Sequence, residues 1–108
     1  MIKVVANQFP NSVSLLNILG AVNLKRNDFK KAQNNFETAL RINHLYYEAY
    51  QNLALLLDLI GKKEDANKNR MRAFLAQPNS SAPLKHLINY FLETNQIERA
   101  ALLLKQRP

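Results

Sequence analysis

The chain has 108 residues, enough for one small domain with a modest core. Apolar residues make up 47%, which excludes a disordered composition, and the lack of cysteine excludes disulfides and cysteine-based zinc sites. Fifteen basic against eight acidic residues give a net charge of +7, which permits an acidic partner or nucleic acid without requiring one. No apolar run reaches the length of a membrane span. The opening Met1-Ile2-Lys3-Val4-Val5-Ala6 is too short and too soon polar for a secretory signal, which favours the cytoplasm if Met1 is the true start.

In chain order, residues 1–8 read as the end of a helix, closed by Pro10. This segment is either the tail of a preceding hairpin in a longer array, the favoured reading, or an N-terminal cap. Asn11 and Ser12 are good cap residues, and a helix over 12–25 follows, with Leu15, Leu16, Leu19, Val22 and Leu24 apolar and Gly20 among them. A glycine inside a helix is tolerated where a neighbouring helix must come close. Asn27 and Asp28 stop this helix and cap the next, over 29–42, whose inner face is Phe29, Ala32, Phe36, Ala39 and Leu40. After the turn at Asn43 and His44, a helix over 46–60 carries Tyr50, Leu53, Leu56, Leu57 and Ile60. Gly61 ends it with a positive φ. A more polar helix over 63–76 follows, broken by Pro78 and Asn79. Ser80 and Ser81 cap the next helix, with Pro83 in its first turn and Leu84, Leu87, Ile88, Phe91 and Leu92 on its face. Asn95 with Glu98 has capping-box spacing and opens a last helix over 97–106 with Ala100, Leu103 and Leu104.

The same marks recur at one offset. Leu19, Leu53 and Leu87 are 34 apart, as are Ala32, Ala66 and Ala100, and Leu16, Tyr50 and Leu84. Such a period predicts stacked helical hairpins that cannot bury their apolar faces singly. Small residues at Gly20, Ala32, Ala54, Ala66 and Ala100 let the helices of a pair touch, and Phe36, Tyr50 and Phe74 fill the gaps between neighbouring pairs.

These marks resemble the tetratricopeptide repeat family over about nine-tenths of the chain. The first repeat, 13–46, has Leu16, Leu19, Gly20, Ala32, Phe36 and Ala39, but departs with Asn23 at an aromatic position and His44 where proline is usual. The second, 47–80, has Tyr50, Leu53, Ala54, Ala66, Ala73 and Pro78, but carries Leu57 and Arg70 at aromatic positions. The third, 81–108, has Leu84, Leu87, Phe91 and Ala100, carries Ile88 at a small-residue position and Arg107 in place of alanine, and ends early. The resemblance implies an all-α, right-handed α-solenoid of antiparallel helix pairs, with about three repeats in a single domain over 1–108. The Arg70 stem is expected to lie on the seam with its charge reaching water.

The resemblance also implies a concave groove, lined by the first helix of each pair, that holds a peptide or partner helix. Its positions here are Asn17, Ala21, Leu24, Gln51, Asn52, Leu55, Lys85, His86 and Asn89. Asn and Gln offer donor and acceptor to an extended backbone, and Lys85 suits a carboxylate. For each of these residues the plainer reading is an exposed polar helix position. Family members that clamp a chaperone's terminal carboxylate use a Lys/Asn pattern that Asn17, Ala21, Ala82 and His86 do not match.

A second feature is a basic edge at the inner turns: Lys25, Arg26, Lys30 and Lys31, then Lys62 and Lys63 one period on. No aromatics are interleaved to stack bases, so a solubilising rim is preferred to a nucleic-acid surface. Catalysis finds little support. His44 and His86 have no carboxylate or cysteine motif beside them, and there is no phosphate loop, paired metal spacing or nucleophile signature. Asn79-Ser80-Ser81 is a glycosylation sequon only in a secreted chain. The sequence therefore points to a non-catalytic protein-binding module without cofactor or metal. Two alternatives are kept: a docking segment of a larger enzyme such as a transferase, and a self-associating scaffold array joined through open repeat ends.

Overall fold

The computed structural model describes residues 12–79 and 81–106. The expected tail over 1–8, Pro10, the caps Asn11 and Ser80, and Arg107 lie outside the described residues. Among the described residues six α-helices follow one another: α1 (Val13–Lys25), α2 (Phe29–Ile42), α3 (Tyr47–Leu59), α4 (Lys63–Ala76), α5 (Ser81–Glu93) and α6 (Ile97–Gln106). Among the described residues there is no strand. Helices next to one another in the chain pack together, and α1 also meets α3, so the pairs stack into an all-α solenoid measuring 48 × 29 × 17 Å. Each first helix begins 34 residues after the last, at Val13, Tyr47 and Ser81, and each second helix at Phe29, Lys63 and Ile97.

The turn inside every pair is built the same way. Asn27, Gly61 and Asn95, one period apart, hold φ of 62°, 82° and 59°. In each case the left-handed residue donates its N–H to a carbonyl three residues back: Asn27 to Leu24, Gly61 to Asp58 and Asn95 to Leu92. The next residue donates five back: Asp28 to Asn23, Lys62 to Leu57 and Gln96 to Phe91. These paired bonds satisfy carbonyls that the ended helix would otherwise leave open. Asparagine reaches this conformation more readily than other side-chain-bearing residues. The capping box expected at Asn95 and Glu98 is therefore corrected. Asn95 terminates α5, and Gln96 stands between it and α6. Asn27 likewise ends α1, while Asp28 caps α2, its carboxylate accepting from the Lys31 N–H at 3.4 Å. Ser12 caps α1 by accepting from Leu15 N–H at 3.2 Å.

Between the first and second pairs, the usual proline is replaced by His44 without loss of the turn. Asn43 accepts from Leu45 N–H at 3.0 Å, and the Tyr50 hydroxyl donates to the His44 carbonyl at 2.9 Å.

The core forms two clusters. One joins Leu24, Ala32, Phe36 and Ala39 of the first pair to Ala49, Leu53, Leu56 and Ala66 of the second. The other joins Phe74 to Leu84, Leu87, Phe91, Ala100 and Leu103. Helix α4 thus divides its apolar residues, with Ala66 turned to the first cluster and Phe74 to the second. Gly20 is where two helices come closest: a Cβ added there would meet the Phe36 ring at 2.6 Å from Cδ1 and nearer still to Cε1. Phe36 therefore fills its own pair as well as the seam beyond it. Three residues expected on inner faces are exposed instead, Ile60, Leu92 and Leu104. Each sits near a helix end or on the outer pair, where no second helix covers it.

Arg70 also departs from expectation. It is 9% exposed, so its charge does not reach water. Its guanidinium donates to the Asp58 carboxylate across the second pair, and to Asn67 Oδ1 at 2.8 Å one turn back. A buried cation is retained only when paired in this way. Asn23, the other polar residue at an aromatic position, donates to Asn35 Oδ1 at 2.8 Å and so carries a polar group into the first pair with a partner.

Candidate functional site

The first helices α1, α3 and α5 carry the expected groove residues. Asn17 and Asn52 meet: the Asn52 amide donates to Asn17 Oδ1 at 2.9 Å, linking α1 to α3 across the seam between pairs. Each amide keeps further capacity, since asparagine has two N–H donors and an acceptor oxygen. Ala21 and Gln51 are half-buried beside them. Leu55 is 49% exposed, a large apolar side chain on the same face of α3. Lys85, His86 and Asn89 are exposed on α5. The structure ties Asn17 to Asn52 but shows no bond from them to the three α5 residues.

Leu24 is corrected. It is buried and belongs to the first core cluster, so it has no surface to offer a partner. It lies three residues past Ala21, in the last turn of α1, where the first core cluster covers it. The sequence reading also missed Ile18, Leu59 and Leu92, which are 51%, 58% and 52% exposed on the three first helices. Leu59 lies one helical turn from Leu55, and Leu92 one turn from Asn89. Their signal was available: each is a large apolar residue next to or one turn beyond a groove position. The wall is thus mixed, with amides at its middle and aliphatic side chains around them.

The basic edge is exposed throughout, at Lys25, Arg26, Lys30, Lys31, Lys62 and Lys63. Two of these lysines are paired: Lys31 with Asp28 at 3.7 Å and Lys63 with Glu93 at 3.8 Å. Both pairs are solvated, so they contribute little to stability. Their effect is on the field, because Glu93 occupies in the third pair the register position that Lys25 occupies in the first. The edge is interrupted by a carboxylate where a continuous cationic track would need another lysine.

Among the described residues, no group of three His, Cys, Asp or Glu side chains is placed to hold a metal ion, and no helix is long and apolar enough to cross a membrane. Both His44 and His86 are exposed.

The fold has close counterparts among solved structures. A crystal structure of MamA superposes with a TM-score of 0.80 at 19% identity, over 96% of this chain and 61% of that one. A second MamA structure gives 0.78 at 19% identity, over 96% of this chain and 57% of its own. The chain thus spans about three-fifths of the MamA chains, and at this identity the likeness shows the fold alone. No curated protein matches the chain in sequence. A family model described as coatomer epsilon subunit matches residues 3–104. The helical-repeat resemblance therefore stands, under that description and not under the tetratricopeptide name. With the match running through all six helices, the chain belongs to the coatomer epsilon subunit family.

Proposed function

We propose that this chain is a non-catalytic protein-interaction module that holds a peptide or a partner helix against the wall formed by α1, α3 and α5. The observation that carries this reading is the Asn17–Asn52 hydrogen bond between adjacent first helices, with Leu55 exposed beside it. Together they offer fixed amide groups for a partner backbone and an apolar contact for a side chain, the combination that specific peptide recognition uses. The family description, a subunit, supports a role within an assembly of several chains. We read the individual repeats as tetratricopeptide-like on the register of small and large residues. The cytoplasmic setting expected from the sequence belongs to the same proposal.

The test is an affinity capture with wild type, Leu55→Glu and Lys30→Glu, each checked for equal helix content by circular dichroism. Proteins held by the groove should be lost with Leu55→Glu and kept with Lys30→Glu. Equal capture by wild type and Leu55→Glu would show that this wall is not the binding surface.

A second reading is favoured by a separate observation. On α6, Leu102 and Leu104 are 56% and 50% exposed while Leu103 is buried. An apolar outer face on the last helix suits packing by another helical pair, as in an array of stacked repeats. Sedimentation equilibrium over a wide concentration range tests it: association that Leu102→Glu abolishes supports end-to-end assembly, and a strict monomer excludes it.

A further inference from the structure

A cleft of about 230 Å³ opens where α4, α5 and α6 meet, away from the groove wall. Asn67 lines it and is only 6% exposed. Its Oδ1 is taken by Arg70 at 2.8 Å, which fixes the orientation of the amide. Its Nδ2 is buried and has no acceptor among the described residues. A buried donor left without an acceptor is destabilising, and native structures rarely keep one without a use. One period upstream the corresponding residue is Gln33, whose amide donates to Glu37 at 3.1 Å. In the second pair Met71 stands at the register position of Glu37, so the acceptor has been removed and an apolar wall put in its place.

The rest of the lining states what would fit. Met71, Tyr90 and Phe91 give one thioether and two aromatic surfaces. Lys68 and Arg99 supply two cations against the single carboxylate of Glu64, and the Arg99 guanidinium lies 6.0 Å from the centre of the Phe91 ring. Lys68 is bound only loosely, to Asp65 at 3.9 Å with both groups more than half exposed, and is free to turn toward a ligand. A cavity of about 150 Å³ already admits a benzene ring. This cleft therefore has room for a ring and a short acidic arm.

We propose that the cleft between α4, α5 and α6 is a binding site for a small carboxylate with an aromatic body. Asn67 Nδ2 donates to one carboxylate oxygen, Lys68 and Arg99 balance the charge, and the body lies on Met71, Tyr90 and Phe91. The site is separate from the groove and does not depend on the groove's function.

The test uses the full chain labelled with ¹⁵N and ¹³C, titrated with phenylacetate, following the Asn67 side-chain amide and the Met71 methyl group by NMR. Both signals should shift and saturate, with roughly millimolar affinity. The neutral isostere phenylacetamide should bind about tenfold more weakly, as should phenylacetate to Asn67→Ala. Because Asn67→Ala also releases Arg70, Arg99→Gln serves as a second variant that leaves the core alone; it should weaken binding by about threefold or more. Leu55→Glu, which disables the groove, should bind phenylacetate as wild type does. The proposal is overturned by the absence of saturable shifts well into the millimolar range. It is equally overturned if Asn67→Ala and Arg99→Gln, both folded, bind as tightly as wild type.

Discussion

The first and third helix pairs share one turn geometry and differ at one place in their seams. In the first, Gly20 lets the Phe36 ring lie directly on the helix backbone, and the two helices meet closely along their length. In the third, Ile88 occupies that register position and the helices meet over a shorter, looser seam. Two apolar-lined clefts border this pair, the Asn67 cleft and a second one lined by Met71, Phe91, Leu102 and Leu103, whereas the hollow on the first pair lies among the polar side chains of Lys30, Lys31, Gln33, Asn34 and Glu37. The difference teaches that a residue without a side chain at the point of closest approach lets the two helices of a pair meet along their length, while a branched one there goes with a looser seam.

The largest test of this contrast is Gly20→Ala. The new methyl has nowhere to go without moving Phe36, and thermal melting should show a loss of about 3 kcal/mol, at the upper end for overpacking. Adding Phe36→Leu should recover part of that loss, so the double variant melts above Gly20→Ala alone. The middle pair has Ala54 at this position and depends instead on its polar bridge. Asp58→Ala leaves the buried Arg70 cation unpaired and should cost about 2 kcal/mol, less than for a fully enclosed pair because the Asp58 side chain is 32% exposed. Arg70→Met on that background should restore most of it, as chemical denaturation would show. In the third pair, Ile88→Ala should cost only about 1 kcal/mol, since a half-buried side chain is lost from a seam that was never tight. A cost above that of Gly20→Ala would break the comparison. Smallest is Lys62→Asp. Lys62 precedes α4 without a side-chain cap, where Asp28 caps α2, and the change should add about 0.5–1 kcal/mol.

The 34-residue register made the six helices and their order legible, because small residues and turn residues recur together. It placed Gly61 correctly for the same reason: glycine at a helix end has one dominant meaning. Asn95 was misread because asparagine serves equally as an N-terminal cap and as a left-handed terminator, and only the backbone distinguishes them. Asn27 ends its helix by the same left-handed geometry, while Asp28 alone supplies the cap that follows. The outward position of Leu104 could not be read from periodicity, which shows that a face is apolar but not whether a neighbour covers it. Arg70 was recognised as out of pattern, but its burial depended on Asp58 lying opposite on α3, a relation between helices that no local motif records. Of the groove, the Asn17–Asn52 contact follows from their near-periodic spacing, whereas the burial of Leu24 depends on which residues of the first core cluster cover it, and periodicity does not record that. The orphaned Asn67 amide was invisible in the sequence, because it arises from the replacement of an acceptor by Met71 on the neighbouring turn of α4.

The three matching left-handed turns carry one more implication. Each fixes the crossing of its two helices within six residues, using main-chain bonds that do not consult the rest of the stack. Segment 57–62 is thus interchangeable in principle with 23–28 or 91–96, and a pair bearing any of them is a portable cassette. A chain of this kind can lengthen by duplication of whole units without redesign of its joints, and its reach can be tuned by counting copies.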